Sequence, residues 1–498
     1  MPTAYANQNA APAPRQNPKP QKRYHLVIFG AGTAGQAAAR MAAALGVRVA
    51  LIERYPALDG RFNTGPVLPS KALIRTSRLY AEMRDAKRAG AQPPQQIDVD
   101  FAAAMERVRR IGTHIKGDET AERLAAAGVD VFFGEARFTG PDTFEIDGQP
   151  AHFRRALIAT GARPNTSLIP GLEEAGYYTS NNIFNITELP RRLVVIGGGP
   201  LGCELAQAFC RLGAHTTIVE EKPLFLGGEE RDAAQLLSNS FVRDGIRVCL
   251  NTSAVAVHME GGQARGHKLV DLVSDENKYT MAADAILTGI GRSPNVQDLG
   301  LEAANVEYDA DNGVHVNDNL QTTNPRIYAA GDVCLGEKYS HTAAASARVV
   351  VRNALMRGHE QFSSLVIPWC TFTDPEIAHV GMYVREANLK NIPVKTFTVP
   401  MHQVDRAVTD SEDEGFVKIH VREGTDQILG ATIVATHAGD MINEITLAMV
   451  AGIGLRTLSR VIHAYPTQAE AIKMAADAYN RTRLTRRIQM RLHRLLSW

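Results

Sequence analysis

One pattern occurs twice in this chain, and the second copy follows the first by 167 residues. Each copy has an apolar run, a glycine-rich turn, an alanine-rich helical stretch, a single glycine and a second apolar run that ends in glutamate. Three landmark pairs keep this separation: Gly30 and Gly197, Gly46 and Gly213, and Glu53 and Glu220. Because chance does not readily keep three separations equal, the pattern predicts two strand–helix–strand units and an α/β fold.

Both glycine-rich turns have the spacing G-x-G-x-x-G. The first glycine allows the tight turn, the second lets the backbone approach a pyrophosphate, and the third lets helix and strand pack closely. The helix N-terminus then faces the phosphates, and the glutamate accepts a hydrogen bond from a ribose hydroxyl. An ordinary glycine turn is the alternative, but it would not need the strand, helix and carboxylate twice. The predicted dinucleotide-binding residues are Gly30, Gly32, Gly35 and Glu53 in the first copy, and Gly197, Gly199, Gly202 and Glu220 in the second.

Glu220 also favours one nicotinamide cofactor. A carboxylate would repel the 2′-phosphate of NADP(H), and Glu221 adds a second negative charge. Arg211, the nearest upstream cation, lies at the end of the predicted helix and not after the strand. The second copy is therefore predicted to bind NAD(H) in preference to NADP(H).

Length and composition restrict the class of protein. A chain of 498 residues is too long for one core and predicts two to four domains. Its net charge of +1 predicts no nucleic-acid partner. The five cysteines form no C-x-x-C pair and no zinc-ligand spacing, which predicts a reducing compartment and no metal site. Residues 1–22 lack the apolar core of a signal peptide and are predicted to be a disordered tail, so the expected location is the cytoplasm.

Four further motifs accompany the glycine turns. They are Ala159-Thr160-Gly161, residues 289–295 (GIGRSPN), residues 327–332 (IYAAGD) and residues 373–378 (TDPEIA). With the two glycine turns, they make almost everything after residue 22 resemble the pyridine nucleotide-disulfide oxidoreductase family. Dihydrolipoamide dehydrogenase, glutathione reductase and mercuric reductase are members of that family.

The resemblance implies two Rossmann-like domains and a C-terminal α+β dimerisation domain. The FAD domain would cover residues 23–166 and 292–364, the NAD domain 167–291, and the dimerisation domain 365–480. In the family, two copies form a homodimer and each completes the active site of the other. The resemblance also implies that Asp332 binds the ribityl chain of FAD. Further cofactor residues carried over from these motifs are Thr160, Gly161, Gly291 and Gly331.

The cysteine pair typical of the family is missing. Its motif is C-x-x-x-x-C followed by a Pro-Ser-Lys turn, and here residues 69–71 supply that turn. Phe62 and Val67 then occupy the two cysteine positions. Cys203 and Cys210 are seven residues apart on the helix after the second glycine turn, where a buried apolar role is favoured.

The proton-handling motif of the family, H-x-H-P-T-x-x-E, is also altered. Residues 463–470 read HAYPTQAE, so Tyr465 replaces the histidine before proline. A phenol with a pKa near ~10 is a poor base at neutral pH. Mercuric reductases and soluble transhydrogenases resemble this chain in carrying tyrosine there. Glu470 is expected either to hydrogen-bond Tyr465 or to begin a helix after Pro466 and Thr467.

Lys71 and Glu204 match an ion pair that the family places beside the flavin, where a positive charge stabilises reduced flavin. The alternative is that Lys71 caps a surface turn and Glu204 is solvated. With Tyr465 and Glu470, these two residues are the catalytic candidates. The predicted function is an FAD-dependent NADH oxidoreductase with a small non-disulfide acceptor such as a quinone or a second nicotinamide. The competing hypothesis is a non-enzymatic FAD- and NAD-binding scaffold or redox sensor.

Residues 481–498 (RTRLTRRIQMRLHRLLSW) predict a basic amphipathic helix. Its leucine and isoleucine residues follow helical spacing, and its arginines lie largely off that stripe. Two interpretations stay open. Packing against its own domain or a dimer mate is favoured, and contact with an anionic membrane surface, on the inner face of the membrane, is the alternative.

Overall fold

The computed structural model describes residues 17–55, 67–116, 121–165, 169–260, 267–275 and 277–496. The chain divides into two compact units. The first takes the described residues before Pro69 and those within Arg109–Asn165 and Gly291–Ser364. The second takes those within Pro69–Val108 and Thr166–Ile290, and those from Leu365 onward.

Strands and helices alternate in the two repeated units, and longer runs of successive strands cover residues 129–164 and 247–329. The strands are β1 Arg23–Phe29, β2 Val49–Glu53, β3 Val129–Phe133, β4 Ala136–Gly140, β5 Thr143–Ile146, β6 Gln149–Ile158, β7 Ala162–Pro164, β8 Arg192–Ile196, β9 His215–Val219, β10 Arg247–Cys249, β11 Thr252–Glu260, β12 His267–Ser274, β13 Asn277–Ala283, β14 Ala285–Thr288, β15 Arg292–Pro294, β16 Tyr308–Asp309, β17 Gly313–Val314, β18 Ile327–Ala329, β19 Pro368–Thr371, β20 Glu376–Gly381, β21 Val394–Pro400, β22 Phe416–Arg422 and β23 Ile428–Ala435. The helices are α1 Thr33–Ala44, α2 Val67–Arg84, α3 Phe101–Lys116, α4 Ala121–Ala126, α5 Leu172–Ala175, α6 Pro200–Arg211, α7 Arg231–Asp244, α8 Ser340–Leu355, α9 Val384–Leu389, α10 Asp405–Thr409, α11 Ala438–Val450, α12 Leu455–Leu458, α13 Glu470–Thr482 and α14 Arg486–Leu496.

The first unit is built on a sheet of order β3-β2-β1-β6-β5-β4, in which β18 also pairs with β6. Strands β1, β2, β3, β6 and β18 run parallel to their neighbours in this set. Every residue of β2 is buried, as expected for a parallel strand covered on both faces. Because parallel strands end at one edge of a sheet, the residues that follow β1, β6 and β18 meet there, together with the end of β2.

The second unit contains a smaller parallel sheet of order β10-β9-β8-β14 and a three-stranded antiparallel sheet of order β11-β12-β13. Helix α6 joins β8 to β9, so this part repeats the β1–α1–β2 arrangement of the first unit. The repeat found in the sequence is therefore a repeat of structure, and the predicted α/β fold is confirmed.

The C-terminal part of the second unit is a five-stranded antiparallel sheet of order β19-β20-β23-β22-β21. All eight residues of β23 are buried. Helix α11 packs on β20 and β23, and α13 packs on β21 and β22. This is the α+β architecture predicted for the dimerisation domain.

Residues 69–108, which the prediction places in the FAD domain, group with the second unit. Two contacts explain the grouping. The Arg78 guanidinium donates a hydrogen bond of 2.6 Å to the Thr373 carbonyl, and the rings of Phe101 and Phe209 lie 6.0 Å apart. The predicted domain limits stay a prediction.

Predictions were also made for the first 22 residues and for the C-terminal helix. The predicted tail covers residues 1–22, of which residues 1–16 lie outside the described part. The Asn17 amide exchanges two hydrogen bonds of 2.8 Å with the backbone of Phe133, so residues 17–22 are held against the end of β3 and do not belong to a disordered tail. At the other end, all residues from 481 to 496 are exposed. Among the described residues, no helix combines the length and apolar character needed to cross a bilayer.

Candidate functional site

The first glycine turn connects β1 to α1 and has no room for side chains at two positions. Gly30 has a φ of +99°, and a Cβ there would lie 2.5 Å from the Ala159 carbonyl oxygen. A Cβ at Gly35 would lie 1.9 Å from the Gly30 carbonyl oxygen. These glycines therefore let the start of α1 approach the strands β1 and β6 closely, as the spacing predicted.

Gly32 has a different role in the same turn. A Cβ at this position would meet no atom within 4 Å, so packing within the protein does not require glycine there. Gly32 is also the N-cap of α1, and as a glycine it supplies no side-chain cap. An open space in front of a helix N-terminus with a glycine cap fits a pyrophosphate, because backbone amides and the helix dipole favour an anion.

Glu53 ends β2 and fixes the turn. One of its carboxylate oxygens accepts a hydrogen bond from the Ala31 amide at 3.0 Å, and the other accepts from the Tyr55 amide at 3.2 Å. Burial raises the pKa of this carboxyl group, and the amide donors oppose that effect. Glu53 thus lies at the turn as predicted, and its contact with a ribose stays a prediction.

The second glycine turn, between β8 and α6, repeats these contacts. Gly197 has a φ of +106°, and a Cβ there would lie 2.6 Å from the Gly289 carbonyl oxygen. A Cβ at Gly202 would lie 2.1 Å from the Gly197 carbonyl oxygen, whereas one at Gly199 would find its nearest atom 4.0 Å away. Helix α6 begins after Gly199 with no side-chain cap. This turn therefore offers a second space for a pyrophosphate.

Glu220 repeats the role of Glu53. Its carboxylate accepts hydrogen bonds from the Gly198 amide at 2.7 Å and from the Lys222 amide at 3.0 Å. The negative charge is thereby held at the end of β9, beside the second glycine turn. Both dinucleotide sites thus have the same three parts: a glycine turn, a helix with a glycine cap and a glutamate.

Two segments predicted to cross between the cofactor domains pair with each other in the first unit. Strands β7 and β15 are antiparallel. The Thr160 hydroxyl donates to the Asn295 carbonyl at 2.7 Å, and the Asn295 side chain returns a hydrogen bond to the Thr160 carbonyl at 2.8 Å. Gly161 and Gly291 both have positive φ in these turns, of +67° and +104°. The structure therefore brings Thr160, Gly161 and Gly291 together.

Asp332 follows β18 at the carboxyl edge of the same sheet, directly after Gly331. Burial raises the pKa of its carboxyl group, and the nearby Arg292 guanidinium, 3.5 Å away, opposes this effect. Sequence reasoning did not single out Arg292. The presence of an arginine within residues 289–295 was the available signal, but its partner Asp332 lies 40 residues further along the chain.

Lys71 and Glu204 form an ion pair within the second unit, with 2.6 Å between Nζ and Oε2. The second carboxylate oxygen of Glu204 accepts a hydrogen bond of 2.8 Å from the Phe372 amide. The Lys71 ammonium lies 4.5 Å from the centre of the Phe372 ring, a cation–π distance. Only 4% of the Glu204 side chain is exposed, so the alternative of a solvated Glu204 is wrong. Phe372 was missed because it precedes the recognised 373–378 motif.

Tyr465 and Glu470 are not hydrogen-bonded to each other. The Tyr465 hydroxyl donates to the Asp405 carboxylate at 2.7 Å, and this bond raises the pKa of the phenol. Glu470 is the first residue of α13, which is the second of the two expectations for it. His463, two residues before Tyr465, is paired at 3.0 Å with Glu444. Their catalytic roles stay predictions.

None of the five cysteines, all of which the structure describes, forms a disulfide. The Cys203 thiol donates to the Gly198 carbonyl and the Cys210 thiol to the Asp244 carbonyl. Burial raises the pKa of Cys210 to about 11 and raises that of Cys203 further. Among the described residues, no group of histidine, cysteine and carboxylate side chains has the arrangement of a metal site.

Comparison with known proteins identifies the family. Residues 24–349 match the pyridine nucleotide-disulphide oxidoreductase domain, and residues 367–476 match the dimerisation domain of the same family. The chain is 31% identical over 461 residues to a mercuric reductase from Lysinibacillus sphaericus, covering 93% of this chain and 83% of the relative. It is also 31% identical over 464 residues to a dihydrolipoyl dehydrogenase from Thermus scotoductus, covering 92% and 98%.

A solved structure supports the same assignment. LpdA from Mycobacterium tuberculosis is 27% identical to this chain, with a TM-score of 0.81 over 92% of this chain and all of LpdA. The two glycine turns fit the FAD and NAD(H) that the family uses, and the dimerisation domain supports a homodimer. The chain therefore belongs to the pyridine nucleotide-disulphide oxidoreductase family, and is an FAD-dependent oxidoreductase.

Proposed function

We propose that the chain oxidises NADH, with bound FAD supplying the redox chemistry, and delivers the electrons to an acceptor that is not a disulfide. One observation carries this proposal. The Lys71–Glu204 pair is retained and tightly held, whereas the two family cysteine positions are Phe62 and Val67. We therefore infer that the residues for hydride transfer are kept and that the residues for dithiol–disulfide exchange are lost.

Lys71 has one role in the proposal. Its ammonium is held by the Glu204 carboxylate and lies near the Phe372 ring, so its direction is restricted before any substrate binds. The family resemblance places this lysine beside the flavin. A fixed positive charge there stabilises negative charge on the reduced cofactor, because the charge does not need to reorganise during the reaction.

Glu204 supports Lys71 in this position. Its buried carboxylate is satisfied by Lys71 on one oxygen and by the Phe372 amide on the other. A buried carboxylate without partners would be costly. Glu204 is thus a positioning residue that holds the lysine and is itself held by the backbone.

The cysteines support a non-disulfide acceptor. A thiolate is the reactive form in dithiol exchange, and a thiol with a raised pKa is a poor source of it at neutral pH. Burial raises the pKa of Cys334 and of Cys370 far above the ordinary thiol value, as it does for Cys203. None of these three can readily replace the missing pair. Phe62 lies outside the described residues.

The acceptor proposed is a small, flat molecule such as a quinone or a second nicotinamide. Val67 replaces a cysteine at the start of α2, and 39% of it is exposed, so an apolar surface is presented where the family has sulfur. The names mercuric reductase and dihydrolipoyl dehydrogenase indicate that these relatives act on mercuric ion and on dihydrolipoyl groups. We expect neither to be turned over here, since both reactions would need the absent cysteine pair.

Anaerobic stopped-flow mixing of the purified holoprotein with NADH tests the proposal. The expected result is rapid bleaching of the flavin absorption without the long-wavelength charge-transfer band that a thiolate next to flavin produces. The reduced protein should then be reoxidised by a soluble quinone or a nicotinamide analogue, and not by lipoamide, glutathione disulfide or mercuric ion.

Two outcomes would contradict the proposal. Reoxidation by a disulfide with the appearance of a charge-transfer band would show an operating thiol pair. Absence of bleaching by NADH, in protein that retains FAD, would favour the non-enzymatic scaffold or redox sensor instead.

A further inference from the structure

The last helix of the described chain, α14 (Arg486–Leu496), buries none of its residues. The helix before it, α13, buries Ala475, Ala476 and Tyr479 against the C-terminal sheet. Burial therefore stops at residue 481, and the chain continues for three helical turns without covering either face of α14. The structure does not show this segment packed against its own domain, whereas packing against a dimer mate, the other part of that interpretation, stays a prediction.

The exposed helix has one apolar face. Ile488, Leu492 and Leu495 follow the spacing i, i+4, i+7 and therefore line one side. Leu495 and Leu496 are 71% and 78% exposed. A continuous row of exposed large apolar side chains usually marks an interaction site. We therefore expect another surface to bind this face of the helix.

The rest of the helix is strongly basic. Residues 481–496 contain six arginines and no aspartate or glutamate, in a chain whose net charge is only +1. Arg486, Arg487 and Arg494 lie off the apolar face. The surface that covers α14 must therefore offer an apolar layer and negative charge next to each other.

The positive charge of α14 favours one kind of binding partner for its exposed face. A second copy of this helix would bring two sets of arginines together with no acidic residue on either side, which is unfavourable. A bilayer with anionic lipids offers acyl chains for the apolar face and head-group charges for the arginines. We propose that α14 is a docking helix that lies in the interface of an anionic membrane and holds the protein at the bilayer surface.

Co-sedimentation of the full-length holoprotein with vesicles tests this inference, which does not depend on the proposed function. We expect binding to phosphatidylcholine vesicles that contain about a third phosphatidylglycerol and little binding to pure phosphatidylcholine. The variant Arg486→Gln/Arg487→Gln/Arg491→Gln should lower partitioning about a hundredfold, which is roughly fivefold for each of the three charges. The variant Ile488→Ser/Leu492→Ser should also lose binding, because the apolar face is removed.

Two matched variants serve as controls. Arg110→Gln/Arg247→Gln/Arg348→Gln removes the same charge from exposed arginines elsewhere, and Val242→Ser/Leu389→Ser removes exposed apolar side chains outside α14. Both should bind vesicles like the wild type. Bleaching of the flavin by NADH, measured on each sample, reports separately on the proposed function.

Three results would overturn the inference. The first is absence of wild-type binding to anionic vesicles, and the second is equal loss in the control variants. The third is a larger oligomer in light scattering that the α14 variants abolish while vesicle binding stays unchanged, since this would make a second copy the occupant.

Discussion

Glu204 illustrates what a buried charge requires at the residue scale. A carboxylate that is 4% exposed persists only if both oxygens find donors, and here an ammonium and a backbone amide provide them. The Lys71 side chain is less buried, since 29% of it is exposed to solvent. Glu204 is therefore the more buried member of the pair. Removal of Lys71 leaves a buried carboxylate without its cation, whereas removal of Glu204 leaves a lysine that still contacts solvent.

The substitution Lys71→Met tests this pair. It leaves the Glu204 carboxylate buried without a cation, which we expect to lower the free energy of unfolding by about 2 kcal/mol, at the lower end for buried pairs because the lysine is partly exposed. Flavin reduction by NADH should slow at least about tenfold, because the fixed charge is lost. Stopped-flow absorbance and chemical denaturation measure the two effects.

Lys87→Met, which removes an exposed lysine, is the control for both measurements. It should change neither value. If Lys71→Met reduced its flavin as fast as the wild type, the proposed role of the lysine would be wrong, even if the variant were less stable.

Glu220 leads to a prediction about cofactor choice. We expect the wild type to prefer NADH over NADPH by at least about tenfold in kcat/KM, because a carboxylate held beside the ribose repels a 2′-phosphate. Glu220→Gln should reduce this preference. The exposed Glu221 lies next in the chain, and Glu221→Gln should have the smaller effect. A wild-type preference for NADPH would contradict the prediction.

At the scale of elements, the strand–turn–helix units show which glycines serve folding and which serve the ligand. Gly197 has a backbone conformation that L side chains rarely adopt and lies against the Gly289 carbonyl. Gly199, two residues on, has an ordinary φ of −77° and open space around it. The first position is needed by the fold, and we predict that the second is needed only when a dinucleotide binds.

Substitutions at these two glycines separate the effects. Gly197→Ala should cost about 1–3 kcal/mol and lower Tm by several degrees, because of the positive φ and the clash with the Gly289 carbonyl. Gly199→Ala should leave Tm within about 2 °C of the wild type but raise the KM for NADH about tenfold or more, because its methyl group occupies the space next to the pyrophosphate.

Gly336→Ala, at an exposed position outside the helices where a Cβ meets nothing within 4 Å, is the control, and it should leave the KM for NADH unchanged and Tm within about 2 °C of the wild type. Thermal denaturation in the absence of NADH and steady-state kinetics give the two readouts. A large fall in Tm for Gly199→Ala would contradict the assignment of that glycine to the ligand.

At the scale of the whole molecule, we predict that stability depends on pH through a histidine that the sequence did not single out. His379 is fully buried in the C-terminal sheet, where its Nδ1 lies 2.8 Å from the Thr432 hydroxyl and its ring stacks 3.7 Å from the Tyr383 ring. Burial lowers the pKa of His379 to about 3. The folded protein therefore keeps this histidine neutral at pH values where an unfolded chain would protonate it.

This depressed pKa sets the sign of the effect. The contribution of His379 to stability is fully present above the unfolded pKa of about 6.5 and is lost as the pH falls toward 3. Between pH 6.5 and 4.5, we expect this residue to lower the free energy of unfolding by about 1 kcal/mol per pH unit. Denaturation curves at several pH values measure the slope.

His379→Asn should be less stable than the wild type at pH 8, since it loses the ring stacking, but its stability should fall less steeply toward pH 4.5. His359→Gln, at an exposed position, should keep the wild-type slope. Equal slopes in wild type and His379→Asn would show that other groups carry the acid sensitivity.

Much of the fold was predictable because its signals are local. The repeated turns, from Gly30 to Glu53 and from Gly197 to Glu220, depend on backbone conformation and strand periodicity, which neighbouring residues in the chain determine. The α+β architecture of the C-terminal part followed from the family resemblance. The sequence also located Lys71 and Glu204, although they are 133 residues apart, because each lies in a motif with a family counterpart.

Only the tertiary structure decided the partners of these residues. That Phe372 donates to Glu204, that Arg292 approaches Asp332 and that Tyr465 hydrogen-bonds Asp405 depends on segments that are distant in the chain and meet only after folding. The exposure of α14 is of the same kind, since an amphipathic pattern predicts a helix with an apolar face but cannot say what covers it. Sequence patterns determine local conformation through short-range sterics and hydrogen bonding, whereas burial and pairing depend on which surfaces the fold brings together.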